Sequence, residues 1–203
     1  VTHKMKSIHL FASDPEPTAE IAPGPNVVGV DLSLSATGLA SSMGWCRVIG
    51  YEDKKNPITK LPHGVRLFHM RRVLDAATEA IGRPDLAVIE AAALSRSGGG
   101  AHERGWLWWR IFERLTDAEI PVGLMSPNQR ILYATGKGSG PKTAVVDAVA
   151  RRWPQWRTGG NDNACDAVTL MAAGRDWLLA PITGMPKAHR AAVENATWPE
   201  VEQ

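Results

Sequence analysis

A strand that is apolar on both faces yet ends on a carboxylate constrains this chain more than any other feature. Val27-Val28-Gly29-Val30 is a run of strand formers, and Asp31 closes it. Leu32-Ser33-Leu34-Ser35-Ala36-Thr37-Gly38 then turns into a second short strand. Side chains alternate along a strand, so Val27, Gly29 and Asp31 share one face while Val28 and Val30 take the other. An ionised Asp at the end of a buried strand is costly unless it gains hydrogen bonds, a counter-charge or a metal. Taken alone, Asp31 would simply open a turn, as Asp often does.

The remaining pattern follows in order. Residues 1–25 include Asp-Pro-Glu-Pro and Ala-Pro-Gly-Pro, which no helix or central strand accommodates; they read as a flexible N-terminal arm. Strands are expected at about 27–32, 36–42 and 44–50, the last two forming a hairpin. Residues 65–81 carry Leu67, Met70, Leu74, Ala77 and Ile81 at helical spacing, ended by Gly82 and Pro84. A short strand, 85–90, again terminates in a carboxylate, Glu90. A Gly/Ser loop (Ser97-Gly98-Gly99-Gly100), a helix over 101–118 and a strand over 121–125 come next. Ser126-Pro127 opens another helix, and two more fill 142–153 and 162–179. Residues 181–203 read as a C-terminal tail with weak helical content. A meander followed by alternating helices and strands predicts an α/β fold with a five-stranded mixed sheet, antiparallel first and then parallel, flanked by helices. Residues 26–180 would form this one domain, a size able to bury a sizeable core.

The acids converge. Asp31 and Glu90 would both sit at the carboxyl ends of neighbouring parallel strands, where open α/β sheets place ligands. On the last helix Asp162 and Asp166 fall on the apolar, sheet-facing stripe, with Asn163 at its margin. Charges on a core face violate patterning, and such violations mark sites. Four carboxylates in one place repel one another unless hard cations with oxygen ligands relieve them. Two Mg²⁺ ions about 3.5–4 Å apart would serve phosphodiester cleavage.

"GVDLSLSATGLA", "LAVIEAA", "MSPNQRILYATGKGSGPKTAVVDAV" and "NDNACDAVTLMAAG" resemble, in order and spacing, the RuvC-type Holliday-junction resolvases, in particular their bacteriophage members. The resemblance covers residues 27–180. It implies an RNase H-like fold, a homodimer, Mg²⁺ or Mn²⁺ (two ions per site), and paired nicks in branched DNA, four-way junctions above all. It implies catalytic and metal-holding roles for Asp31, Glu90 and Asp166. For the fourth acid it implies Asp162, which fits the phage-like Asp-Asn-x-x-Asp pattern, although bacterial members carry an acid at the position of Asn163. Lys142 matches the lysine held near the scissile phosphate. Leu32-Ser33 departs from the Pro-Gly of bacterial members.

The net charge of +2 does not by itself imply nucleic acid, but residues 126–160 hold six cations against the single acid Asp147. Arg130, Lys137, Lys142, Arg151 and Arg152 are the expected DNA-binding residues on this patch, which also includes Arg157. Gly136-Lys137-Gly138-Ser139-Gly140-Pro141-Lys142-Thr143 only superficially resembles a P-loop, since Pro141 stands where Gly is needed and a helix precedes it. On the 101–118 helix, Ala101, Gly105, Trp108, Phe112 and Leu115 make the expected core stripe. Trp106, on the opposite face, is the expected dimer contact. Trp153 and Trp156 would either stack on bases or pack in the core. Cys46 and Cys165 show no metal-ligand spacing and suggest a reducing compartment. No apolar run approaches the roughly 20 residues of a membrane span, so a cytoplasmic protein is expected, in a bacterial host if phage-encoded. The rival readings are another RNase H-like nuclease, cutting flaps or RNA–DNA hybrids, and an actin- or sugar-kinase-type ATP-binding protein.

Overall fold

The structure, a computed structural model, describes residues 10–11, 23–92 and 100–200. Its strands are β1 (Leu10–Phe11), β2 (Val27–Asp31), β3 (Thr37–Ser41), β4 (Trp45–Ile49), β5 (Leu86–Glu90) and β6 (Val122–Met125). Its helices are α1 (His63–Ile81), α2 (Ala101–Asp117), α3 (Pro127–Thr135), α4 (Lys142–Arg152), α5 (Asp162–Trp177) and α6 (Lys187–Glu194). The five expected strands form one mixed sheet, β4-β3-β2-β5-β6, antiparallel through β2, β3 and β4 and parallel through β2, β5 and β6. This is the RNase H-like arrangement. A sixth strand, β1, pairs with β4 at the edge and comes from the segment expected to be a flexible arm. The rest of that arm up to residue 22, and Ser97-Gly98-Gly99 of the Gly/Ser loop, lie outside the described residues.

The sheet buries both faces. Val28, Val30, Ala87 and Ile89 pack with α1 and α2, whereas Val27, Leu86 and Val88 pack with α3, α4 and α5. Helix α5 lies unusually close to β2 and β3. A Cβ on Gly29 would come within 2.1 Å of the Ala167 carbonyl oxygen, and one on Gly38 within 2.0 Å of that of Asn163. Only glycine lets the helix backbone rest directly on these strands. That contact sets the depth of Asp166, which lies between the two.

Two expectations need correcting. The buried stripe of α2 is Leu107, Trp108, Ile111 and Leu115, rotated from the expected Ala101, Gly105 and Phe112. The branched residues fill the core better than the small ones. The C-terminal segment is not a loose tail. Helix α6 buries His189, Ala192 and Val193, Thr197 bridges to Leu124, and Trp198 stacks on Trp177 with ring centroids 4.9 Å apart. Gly123 leaves the room for Trp198, since a Cβ there would stand 2.5 Å from its ring. The apolar contacts of this segment are short and punctuated by Pro186 and Pro199, so no long period announces them.

Candidate active site

Asp31 ends β2 on the face that carries Val27 and Gly29, and Glu90 ends β5 on the face that carries Leu86 and Val88. Both follow immediately after the last paired residues of the parallel ladder, Val30 and Ile89. The two carboxylates therefore project toward α5 from adjacent strand ends. The turn after Asp31 is fixed by Ser33, whose backbone N–H donates to the Thr37 hydroxyl at 3.0 Å. The Glu90 carbonyl accepts from the Trp108 indole at 3.0 Å, tying the end of β5 to α2. Asn161 caps α5, its side chain accepting from the Ala164 N–H. Asp162 and Asp166 then occupy the first two turns.

Arg130 lies between the acids. Its Nε donates to Glu90 Oε2 and its Nη1 to Asp166 Oδ1, and the residue is only 8% exposed. It was expected on the DNA-facing patch; instead it is turned inward. Ser126 and Gln129 make a reciprocal capping box at the start of α3, and Tyr133 and Ala134 are buried one turn on, so the arginine is projected from a well-anchored helix. Lys142 Nζ meets Asp162 Oδ2 at 2.7 Å.

The electrostatics report crowded negative charge. Burial, then repulsion from Glu90 and Asp166, raises Asp31 to about 7. Burial raises Asp166 to about 6, with Arg130 opposing and Glu90 adding to the rise. Asp162 behaves differently: its hydrogen bond from Lys142 holds it below the usual carboxylate range. Burial disfavours a charged Arg130, but Glu90 and Asp166 outweigh it and keep the guanidinium ionised. Hard oxygen donors short of positive charge suit a small divalent cation. No group of three or more Asp, Glu, His or Cys among the described residues stands close enough to form a ready cage. The donor chemistry thus fits a divalent ion, and two of its oxygens are held by an arginine.

The other expected residues divide. Lys137, Lys142 and Arg151 are exposed and Arg152 is half-buried. Lys137, Arg151 and Arg152 line one cavity between the Gly-rich connection and α4, and Arg151 also pairs with Asp147. Trp153 and Trp156 are core residues, Trp153 stacked on Tyr133 and Trp156 donating to the Ser41 carbonyl at 2.8 Å, which removes base stacking. Trp106 is half-buried beside Leu67 and Arg110; Trp109 is the exposed tryptophan of α2, at 64%. Sequence reasoning missed a cleft of about 750 Å³ beside the Asp31 turn, lined by Ser33, Ser35, Arg47, Arg104 and Arg157 among others. Its arginines come from three distant segments, so no local charge run could announce it.

Strand order and the position of the acids define the class: a single RNase H-like sheet with carboxylates at its carboxyl end. Within that class, the fold is that of the RuvC-type Holliday-junction resolvases. The chain is similar to the RuvC structure from T. thermophilus in complex with its Holliday junction substrate, at TM-score 0.53 and 18% identity, over 86% of this chain and 99% of that one. A second Thermus thermophilus RuvC structure matches at TM-score 0.49 and 19% identity, covering 85% of this chain and 99% of that one. The yeast mitochondrial Holliday junction resolvase matches at 0.42 and 12%, covering 87% and 83%. No protein-family model and no curated protein sequence matches the chain.

Proposed function

We propose that this chain is a metal-dependent, structure-selective DNA endonuclease that nicks branched DNA, four-way junctions above all, as a homodimer. The observation that carries this reading is the meeting of Asp31, Glu90 and Asp166 at the sheet's carboxyl end, on a fold shared with a junction-bound resolvase. Mg²⁺ or Mn²⁺ bound there would polarise the phosphate and lower the pKa of water. Asp31, Glu90 and Asp166 would hold it, with Asp162 completing the acidic set. Asp162 rather than Asn163 is the fourth acid, because its carboxylate engages the lysine that reaches the site. Lys142, its side chain 81% exposed, would swing from Asp162 to a phosphate oxygen and stabilise the charge that develops there. Lys137, Arg151, Arg152 and the cleft arginines would carry the DNA backbone.

Two nicks on two strands need two sites, which a dimer supplies. Trp109, 64% exposed on α2, offers more uncovered apolar surface than the half-buried Trp106. Trp109→Ala should shift sedimentation toward monomer more than Trp106→Ala does.

The test of the activity is an immobile four-way junction incubated with the protein in Mg²⁺ or in EDTA. Symmetric nicks in two opposing strands, abolished by EDTA, are expected. Preference for flaps or RNA–DNA hybrids would move the reading to another RNase H-like nuclease. Metal-independent binding without nicks would leave a DNA-binding protein.

A further inference from the structure

We propose that Arg130 is a built-in cation standing where a second metal ion would stand, so that the site takes one exchangeable divalent ion rather than two. The inference rests on the reading that this site binds a divalent metal. Its ground is the position of the guanidinium. Arg130 takes Oε2 of Glu90 and Oδ1 of Asp166, leaving Oε1 of Glu90, Oδ2 of Asp166 and the whole Asp31 carboxylate for an ion.

The charge count agrees. Asp31, Glu90, Asp162 and Asp166 bring four negative charges when ionised, and Arg130 and Lys142 return two. The remainder equals the charge of one divalent ion. A second ion would leave the DNA-free site net positive and would have to displace the arginine. That displacement is costly. The guanidinium side chain is about 10% exposed, always charged, and fixed in a fork that suits two carboxylates. Its helix cannot easily follow it outward, because the capping box at Ser126 and the burial of Tyr133 and Ala134 anchor α3 on both sides. Moving it would also strip partners from two partly buried carboxylates at once, and breaking an inward-facing pair leaves uncompensated charge.

Arg130 is then a positioning residue. It cannot activate water, but it fixes Glu90 and Asp166 relative to Asp31 before any metal arrives. A lysine in its place would keep the charge and lose the two-pronged hold.

Mn²⁺ titration of the DNA-free protein by calorimetry, with the bound ion counted by electron paramagnetic resonance, tests this without reading activity. The wild-type chain should bind one ion, Arg130→Met two, and Arg130→Lys one. Arg130→Gln replaces Arg130→Met should the latter fail to fold by circular dichroism. Two ions on the wild type, or one ion on the charge-removing variant, overturns the role of Arg130 while leaving the metal reading intact. No ion on either protein overturns the metal reading itself, and the inference with it, whereas ions on one of the two alone overturn only the role of Arg130.

Discussion

Asp31→Asn should lose junction cleavage by about 10²–10³-fold, of the order seen when one electrostatic stabiliser of a transition state is removed, while junction affinity in EDTA stays unchanged or tightens. Asn keeps the shape of the side chain and removes the one carboxylate of the four that makes no ion pair with a described arginine or lysine. The same change should stabilise the metal-free fold. The Asp31 carboxyl titrates near 7 in the folded protein, above its unfolded value, so between about pH 4 and 7 the native state binds the extra proton. Stability conferred by that proton is present at low pH and lost as pH rises through 7. Metal-free wild type should therefore melt lower at pH 8 than at pH 5, and Asp31→Asn should flatten the difference, on the order of 3 kcal/mol at most. Saturating Mg²⁺ should restore the wild type at pH 8 and leave the variant nearly unmoved. Full cleavage by Asp31→Asn in Mg²⁺ would remove Asp31 from the site.

The frame of this protein was legible because its signals are local. Alternation in 27–31, two strands that each end on an acid, and acids on the apolar stripe of α5 need no knowledge of tertiary contacts. What escaped depends on side chains from segments far apart in sequence. Arg130 reads as one more cation in a basic run, and nothing within that run reveals that it points at Glu90, 40 residues away, and at Asp166, 36 residues away. Composition places a guanidinium near DNA; only the approach of α3 to the strand ends turns it inward. The docking of α6 escaped for a related reason. His189, buried and hydrogen-bonded to the Tyr133 carbonyl at 2.7 Å, and Trp198, half-buried over Gly123, each meet a partner that lies more than fifty residues upstream. Trp153 and Trp156, whose arginine neighbours in sequence left base stacking open beside core packing, are core residues.

Gly29→Ala should be among the most damaging single-methyl changes in the chain, destabilising it by about 3 kcal/mol or more, at the upper end of overpacking costs. The added Cβ would lie 2.1 Å from the Ala167 carbonyl oxygen and 2.5 Å from the Met171 amide nitrogen. Those are helix backbone atoms, which no rotamer change can move aside, so α5 as a whole must lift from β2. For a domain of this size the midpoint of thermal unfolding should fall by about 6–12 °C. Gly64→Ala, in the first turn of α1 with nothing within 4 Å of its would-be Cβ, is the matched control and should be neutral or slightly stabilising. The site should feel the change as well, because Asp166 precedes the clashing residue and moves with the helix. Mn²⁺ affinity in the Gly29→Ala protein, measured well below its melting point, should drop at least tenfold. A Gly29→Ala protein with normal stability and normal Mn²⁺ affinity would show that α5 does not rest on β2 as described, and the placement of Asp166 beside Asp31 would lose its support.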